Sequence, residues 1–297
     1  MQLLVDLMTR DEERESRTIL RRIDAHLRQS HLDMGAQEET VGFVDVLHHP
    51  QRTLPILNYV TPRKNTAWVS SNHIQQGLEQ LTAHERIQRV RFADGLFPPV
   101  FMKTLRMLGL EAEDEIPLMV YKHDEKTPRK LPARVKDVSF VQAETAQDLA
   151  IWWYVWRNAH YDVAASSVEP LLIGRDLQEV YFKRQINLTM YRNNYPMGAL
   201  RLTLHEKTAH IVAHALLKEM RGIEWDQILR LTAIHTAIDA GANLVFVTGK
   251  AEDERQQFRE LGFVDAGSII SYAEKNDIRD SDEDANDAVA QSVYIVS

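Results

Sequence analysis

The stretch LLKEMRGIEWDQILRLTAIHTAIDAGANLVFVTGKAEDERQQFRELGF, residues 216–263, decides the fold class of this 297-residue chain. Apolar residues in its first half recur at three- and four-residue steps, which predicts an amphipathic helix, and Gly241 stands where a left-handed C-cap is needed. The apolar run LVFV after Asn243 predicts a strand buried on both faces. A strand, a helix and a parallel strand are therefore expected, and such a crossover presents the free N–H groups of a helix N-terminus to an anion.

Composition restricts the function classes. The 43 acidic residues outnumber the 35 basic ones, and a net charge of -8 argues against a nucleic-acid or membrane-surface partner. The absence of cysteine excludes disulfides, thiolate metal sites and a cysteine nucleophile. No apolar run approaches the roughly 18 residues that a membrane helix needs, so we expect a cytoplasmic protein.

The first part of the chain, residues 1–121, is predicted to be one domain. Residues 2–8 alternate as in a strand, and residues 10–29 have the pattern of a surface helix with one buried stripe. Ser71 or Asn72 is predicted to cap one helix, and Pro98 and Pro99 are predicted to open another. Further strands are predicted at residues 41–47, 54–60, 67–69, 89–92 and 118–121.

The second part is predicted to be a domain at residues 135–297, after the polar linker KHDEKTPRKLPAR at 122–134. Before the opening stretch we predict a strand at 138–141, helices at 144–158 and 168–182, and strands at 186–191, 198–204 and 210–217. After it we predict strands at 264–273 and 292–296. Between these two strands, the acidic hairpin loop 274–287 is either a solvated loop or a collector of a cationic substrate.

Both parts contain a helix, a strand, a short helix ending in Leu-Gly and a strand, so we infer two diverged copies of one fold. The element order of 135–297, and the segment FRELGF at 258–263, resemble the GNAT superfamily of acetyl-CoA-dependent N-acetyltransferases. The resemblance implies an α/β (α+β) protein of two GNAT-like domains, each a mixed, mostly antiparallel sheet flanked by helices. It makes residues 1–121 the degenerate copy.

The resemblance also implies an acetyl-CoA site at the start of the long helix. The family's loop, Arg/Gln-x-x-Gly-x-Gly/Ala, matches Arg221-Gly222-Ile223-Glu224-Trp225-Asp226, with acidic residues at both later glycine positions. Carboxylates about 4 Å from a pyrophosphate would each be repelled by roughly 1 kcal/mol, unless Asp226 is instead the N-cap of the helix. Trp225 could fill the space of the pyrophosphate. The residues implied for the cofactor are Leu216, Leu217, Met220, Arg221, Gly222, Ile223, Glu224, Trp225, Asp226 and Gln227.

Catalysis by direct attack of an amine needs a proton acceptor. His214 is the first candidate base and Glu219 the second, with His210 also on the central strand; the alternative is that His214 is a structural, hydrogen-bonded histidine. His210 and His214 should lie about 13 Å apart on one face, so no metal site is predicted. Phe258 stands where the family usually has a tyrosine acid, and Ala251 where it often has an asparagine.

Three tryptophans, at 152, 153 and 156, lie on the first helix of the second domain and either shape an acceptor groove or fill the core. The expected function is an acyl-CoA-dependent N-acyltransferase, with acetyl-CoA as the expected donor, that acts on a primary amine of a small molecule or peptide. The alternative is a non-catalytic ligand-binding or regulatory protein that retains the fold. A homodimer is also an open expectation.

Overall fold

The computed structural model describes residues 2–63, 69–123, 136–161 and 168–274, with side chains from residue 11 onward. The described chain forms two compact units, one of residues 2–118 and 265–274 and the other of residues 119–264. Among the helices in these ranges, none is long and apolar enough to cross a membrane. Residues 124–134 of the predicted linker, residues 275–287 of the acidic loop and the strand at 292–296 lie outside the described residues.

The first unit begins with a long helix and contains a mixed sheet. Its helices and strands are α1 (Gln2–Asp33), β1 (Gln37–Val41), β2 (Val44–His48), β3 (Tyr59–Pro62), α2 (Ser71–Ala83), β4 (Arg89–Ala93), α3 (Pro99–Met107), β5 (Leu110–Lys122) and β11 (Val264–Glu274). β1, β2 and β3 pair antiparallel, and β3 runs parallel to β4 with α2 as the crossover. β11 pairs antiparallel with β4 and has β5 as its other neighbour.

Three local predictions for this unit were wrong. Residues 2–8 belong to α1 and form no strand. The strand predicted at 41–47 is the hairpin β1–β2, because Gly42 adopts a positive φ of 58° at the turn. The strand predicted at 54–60 begins as a 3-10 turn at Pro55–Leu57, consistent with a proline at its first position.

Helix α2 follows the predicted pattern, with Ile74, Leu78 and Leu81 buried, but it is capped one residue earlier than predicted. The Ser70 hydroxyl accepts a hydrogen bond from the backbone N–H of His73. We expect Ser70→Ala to lower the free energy of unfolding by about 1 kcal/mol, because an N–H of the first turn then loses its acceptor. Chemical denaturation measures this, and Ser71→Ala is the control; equal effects would contradict the assignment of the cap.

The second unit contains the opening stretch and a five-strand sheet, β6-β7-β8-β9-β10, beside which lie residues 119–122 of β5. Its helices and strands are β6 (Val138–Gln142), α4 (Ala146–Tyr161), α5 (Pro170–Tyr181), β7 (Gln185–Arg192), β8 (Tyr195–His205), β9 (Thr208–Leu216), α6 (Ile223–Asp239), β10 (Leu244–Thr248) and α7 (Glu252–Glu260). β6 to β9 pair antiparallel, whereas β9 and β10 run parallel, as the opening stretch predicted. Gly241 has the predicted left-handed conformation.

Two cores cover the two faces of this sheet. One joins α6 and α7 to residues such as Ile211, Val245 and Val247, and the other joins α4 and α5 to Ala199 and Ala213. The mixed, mostly antiparallel α/β class is thus confirmed. Residues 265–274, which were predicted to lie in the second domain, pair with β4 in the first unit.

The same order of elements occurs twice along the chain. A parallel strand pair joined by a helix, β3–α2–β4 in one copy and β9–α6–β10 in the other, is followed by a short helix and a strand. The short helices α3 and α7 both end in Leu-Gly, and Gly109 and Gly262 have positive φ values of 84° and 96°. A left-handed residue after the last turn ends a helix, which is why the Leu-Gly pair recurs.

Candidate functional site

The centre of the second unit is the place where β9 and β10 separate. Their ladder pairs Leu244 with Thr208, Val245 with Ala209, and Phe246 with His210, and ends there, although β9 continues to Leu216. The remainder of β9 therefore stays paired only to β8 along the described chain. Its backbone groups on the β10 side are available to a ligand.

A β-bulge lies at the same place. The register between β8 and β9 changes from Leu202 opposite Ile211 to Arg201 opposite Ala213, so one residue, Val212, is extra in β9. Ile211 belongs to the core beneath α6, whereas Ala213 belongs to the core beneath α4. The extra residue therefore reverses which side chains face each helix layer.

The bulge corrects the prediction that His210 and His214 share a face. The ring of His210 stacks on Phe246, with its Nε2 3.1 Å from Thr248 Oγ1. His214 faces α6 and α7, where its ring meets Phe258 edge to face at 5.7 Å between centroids. Strict alternation would have put both on one side, and the extra residue between them puts them on opposite sides.

His214 borders a charge cluster made by Asp226 and Arg230 of α6, Lys250, and Glu254 of α7. Its Nε2 lies 3.9 Å from Asp226 Oδ1 and 3.6 Å from Glu254 Oε1. Arg230 is 2.7 Å from the Asp226 carboxylate, Lys250 is 3.6 Å from that of Glu254, and the Arg230 guanidinium lies 4.4 Å above the Phe258 ring. The two carboxylates hold both cations next to the histidine.

The electrostatics of this charge cluster keep His214 neutral. Its side chain is 4% exposed. Burial first, and then Lys250 and Arg230, hold its pKa well below the usual 6.5. Burial also raises the pKa of Asp226 against the opposing effect of Arg230. A neutral imidazole can accept a proton, so His214 has the protonation state that a base requires.

The N-terminus of α6 is an uncapped helix end. Gly222 is its N-cap residue and supplies no side-chain hydrogen bond, and the first helical bond runs from the N–H of Asp226 to the carbonyl of Gly222. The interpretation of Asp226 as the N-cap was therefore wrong, because the helix starts earlier. The Asp226 carboxylate is directed to Arg230 instead. The N–H groups of residues 223–225 precede the first helical bond, and such groups bind anions.

Arg221, the residue that matches the family's loop, is directed elsewhere. Its Nη2 donates a 2.6 Å hydrogen bond to the carbonyl of Ala159 in the last turn of α4. A guanidinium there satisfies a carbonyl that the helix leaves unpaired. Arg221 thus fastens the loop to α4, and the loop's anion-binding capacity rests on its backbone.

Trp225 packs against the core on the α6 side, beneath Arg192 of β7, whose guanidinium lies 4.9 Å from the indole centroid.

The other residues expected at the cofactor site differ in exposure. Leu216 and Leu217 are buried and Met220 and Gln227 are half-buried, whereas Ile223 and Glu224 are exposed. Glu219, the second candidate base, is exposed in a 3-10 turn at Lys218–Met220. Phe258 is fully buried, and Ala251 precedes α7 without a side-chain cap.

The three tryptophans of α4 fill the core, which confirms the packing interpretation. Trp152 and Trp153 are fully buried, and the guanidinium of Arg201 lies 4.1 Å and 4.9 Å from their ring centroids. Arg201 pairs with Asp176 of α5, which also accepts a 2.9 Å hydrogen bond from Trp153 Nε1. These residues lie on the face opposite His214.

Solved structures share this fold. A GCN5-related N-acetyltransferase from Kribbella flavida covers 86% of this chain and 95% of its own, with a TM-score of 0.64 and 14% identity. The chain has the GNAT fold. A tandem GNAT protein from the clavulanic acid biosynthesis pathway covers 77% of both chains at a TM-score of 0.56 and 12% identity. No protein-family model and no curated protein matches the sequence.

One similar structure is named for a different chemistry. The C-terminal domain of a protein described as a lysylphosphatidylglycerol synthetase, from Agrobacterium fabrum, covers 93% of this chain and 97% of its own, with a TM-score of 0.53 and 13% identity. Function must therefore be argued from the site.

Sequence reasoning missed Arg230, Lys250 and Glu254, although the i,i+4 pairs Asp226–Arg230 and Lys250–Glu254 were a usable signal.

Proposed function

We propose that this protein is an acyl-CoA-dependent N-acyltransferase, with acetyl-CoA as donor, that acts on a primary amine by direct attack. The observation that carries the proposal is the separation of β9 and β10 with a buried, neutral His214 just beyond it. The acceptor is a small-molecule or peptide amine.

The residues at the start of α6 fit the anionic part of such a donor through the backbone. The uncapped N–H groups of residues 223–225 suit a pyrophosphate. Asp226 is neutralised by Arg230 at 2.7 Å, which removes one of the two repulsions expected from the sequence. Glu224 is exposed, so its carboxylate can extend into solvent.

His214 acts as the proton acceptor in the proposed reaction. Acyl-CoA, when bound, supplies the acyl group as a thioester, whose C–S bond breaks as the amine nitrogen bonds to the carbonyl carbon. The nitrogen sheds one proton, which His214 Nε2 accepts. Glu254, about one third exposed and 3.6 Å from that nitrogen, is the nearer of the two cluster carboxylates to the resulting imidazolium. Phe258 has no proton to give, so the thiolate takes one from water.

Calorimetric titration of the full chain with acetyl-CoA, followed by release of free CoA thiol with a panel of primary amines, tests the proposal. We expect binding, and we expect His214→Gln to retain it while lowering kcat by about 100- to 10,000-fold, because only proton transfer is lost. His205→Gln, at the end of β8 in the same unit, is the control. Absence of binding at millimolar acetyl-CoA would disprove the proposal.

A non-catalytic binding protein with this fold is the second candidate. It is favoured by the hydrogen bond of Arg221 to Ala159 and by the phenylalanine at position 258, since these remove the loop arginine and the usual acid. Acetyl-CoA binding without amine-dependent thiol release, and without an effect of His214→Gln, would favour it.

A further inference from the structure

A second cluster of ligand-type side chains lies in the first unit, remote in sequence from the proposed acyltransferase residues. Glu39 of β1, His48 of β2 and His84 at the end of α2 place one donor atom each within 4.8 Å of one another. Both histidines direct Nε2 to the same oxygen, Glu39 Oε1, at 3.2 Å. No metal site was predicted from the sequence, in which these three residues lie far apart.

The fold explains why the three side chains meet. In the β1–β2 hairpin, Gln37 pairs with His48 and Glu39 with Val46, so Glu39 and His48 are diagonal neighbours on one face. Helix α2 covers that face through Ile74 and Leu78, which pack with Val44 and Val46. His84 is the C-cap residue of α2, and the end of the helix thereby brings its ring over His48.

The two imidazole rings are stacked, with centroids 3.7 Å apart and planes 11° apart. Packing of this kind needs no metal, and a shared carboxylate oxygen can accept a hydrogen bond from each ring. The three donor atoms come from β1, β2 and the C-cap of α2 and lie close together, with Glu39 and His84 open to solvent. Ligands from different elements that meet at an accessible point are what a metal site requires.

We propose that Glu39, His48 and His84 bind a divalent transition-metal ion, with zinc as the preferred ion and water as the fourth ligand. Zinc bonds of about 2.0–2.1 Å in tetrahedral geometry put neighbouring donor atoms roughly 3.3 Å apart, which agrees with the two separations of 3.2 Å. Two imidazoles and one carboxylate form a donor set that zinc accepts and that magnesium and calcium disfavour.

Exposure allows an ion to enter and allows one ring to adjust. The side chain of His48 is 4% exposed, whereas those of His84 and Glu39 are 33% and 45% exposed. The nitrogen lone pairs of two parallel rings point in parallel directions and do not converge on one ion. Zinc binding therefore requires the more exposed His84 ring to rotate out of the stack. Arg86 is the cation near the cluster, and its guanidinium is held by the carbonyls of His49 and Pro50.

Titration of the full chain with zinc chloride, followed by calorimetry, tests this site. We expect one zinc ion per chain and a rise in Tm. His84→Asn and Glu39→Gln should each weaken zinc binding by more than about 100-fold, since even indirect partners of metal ligands contribute 10- to 100-fold. Both positions are exposed enough for folding to survive. The control, Glu79→Gln on the exposed side of α2, should bind as the unaltered chain does.

Cobalt(II) provides a second readout that loss of fold would not imitate. The unaltered chain should develop the visible absorption of four-coordinate cobalt, zinc should abolish it, and His84→Asn should lack it. Binding that is unchanged in both His84→Asn and Glu39→Gln, or no binding at millimolar zinc, would overturn the site and leave the cluster as a hydrogen-bonded pair. Either result is independent of acyltransferase activity, because the ligands belong to the first unit.

Discussion

Asp176→Ala is expected to lower the free energy of unfolding by about 3–5 kcal/mol, because it leaves the Arg201 guanidinium buried without its counter-charge. Both side chains are fully buried, and Arg201 also donates a 2.7 Å hydrogen bond from Nε to Asn187 Oδ1. The indole rings of Trp152 and Trp153 flank the cation and exclude water from it. Urea denaturation followed by tryptophan fluorescence measures the loss.

The same helix provides a matched control. Glu179 of α5 pairs with Arg184 at 2.7 Å, but the Arg184 side chain is 40% exposed, so Glu179→Ala should cost less than about 1 kcal/mol. Replacing both buried partners, as in Asp176→Leu with Arg201→Met, should recover much of the loss, since no uncompensated charge remains. Similar costs for Asp176→Ala and Glu179→Ala would contradict this account.

Acid is expected to destabilise the protein through His210. Burial, assisted by Lys250, lowers the pKa of His210 to about 3. In the unfolded chain a histidine titrates near 6.5, so below that pH the unfolded state binds more protons than the folded state. Stability is therefore complete above about pH 6.5 and is lost as the pH falls from there toward 3. At pH 5 the loss from His210 is about 2 kcal/mol.

His214 acts in the same direction, because its pKa is also lowered. Unfolding free energies at pH 7 and pH 5 should therefore differ less in His210→Gln than in the unaltered chain, with a smaller but non-zero difference remaining. His205→Gln should behave as the unaltered chain does. If His210→Gln left the pH dependence of the unfolding free energy unchanged, the burial of an uncharged imidazole at this position would be refuted.

The helices and strands whose apolar residues recur at regular intervals could be predicted from the sequence. The opening stretch predicted α6, β10 and their parallel pairing, since apolar spacing and the Gly241 cap act over a few residues. The bulge at Val212 could not be predicted, because one extra residue in a strand does not change the types of residue that the strand contains. It decided which face His214 occupies. Partners distant in sequence, such as Arg230 with Phe258 and His48 with His84, depended on the packing of helices on strands.

Sequence reasoning also placed β11 by its position along the chain. Because sequential elements are commonly adjacent in space, residues 264–273 were assigned to the second domain, 135–297. Instead β11 pairs antiparallel with β4, with Ile270 opposite Phe92 and Tyr272 opposite Val90. Tyr272 contributes its ring to the core of the first unit. Alternation of side chains along residues 264–274 is equally compatible with either neighbour, so pattern alone carried no information about the partner.

The placement of β11 has a consequence for the order of events on the ribosome. The first unit lacks the strand between β4 and β5 until residues 265–274 have emerged, after the whole of residues 119–264. At translation rates of about 5–20 residues per second, the nascent first unit waits for roughly ten to thirty seconds with two strand edges unpaired. Such edges pair readily with other chains. The first unit is thus completed last, after the second unit has been synthesised.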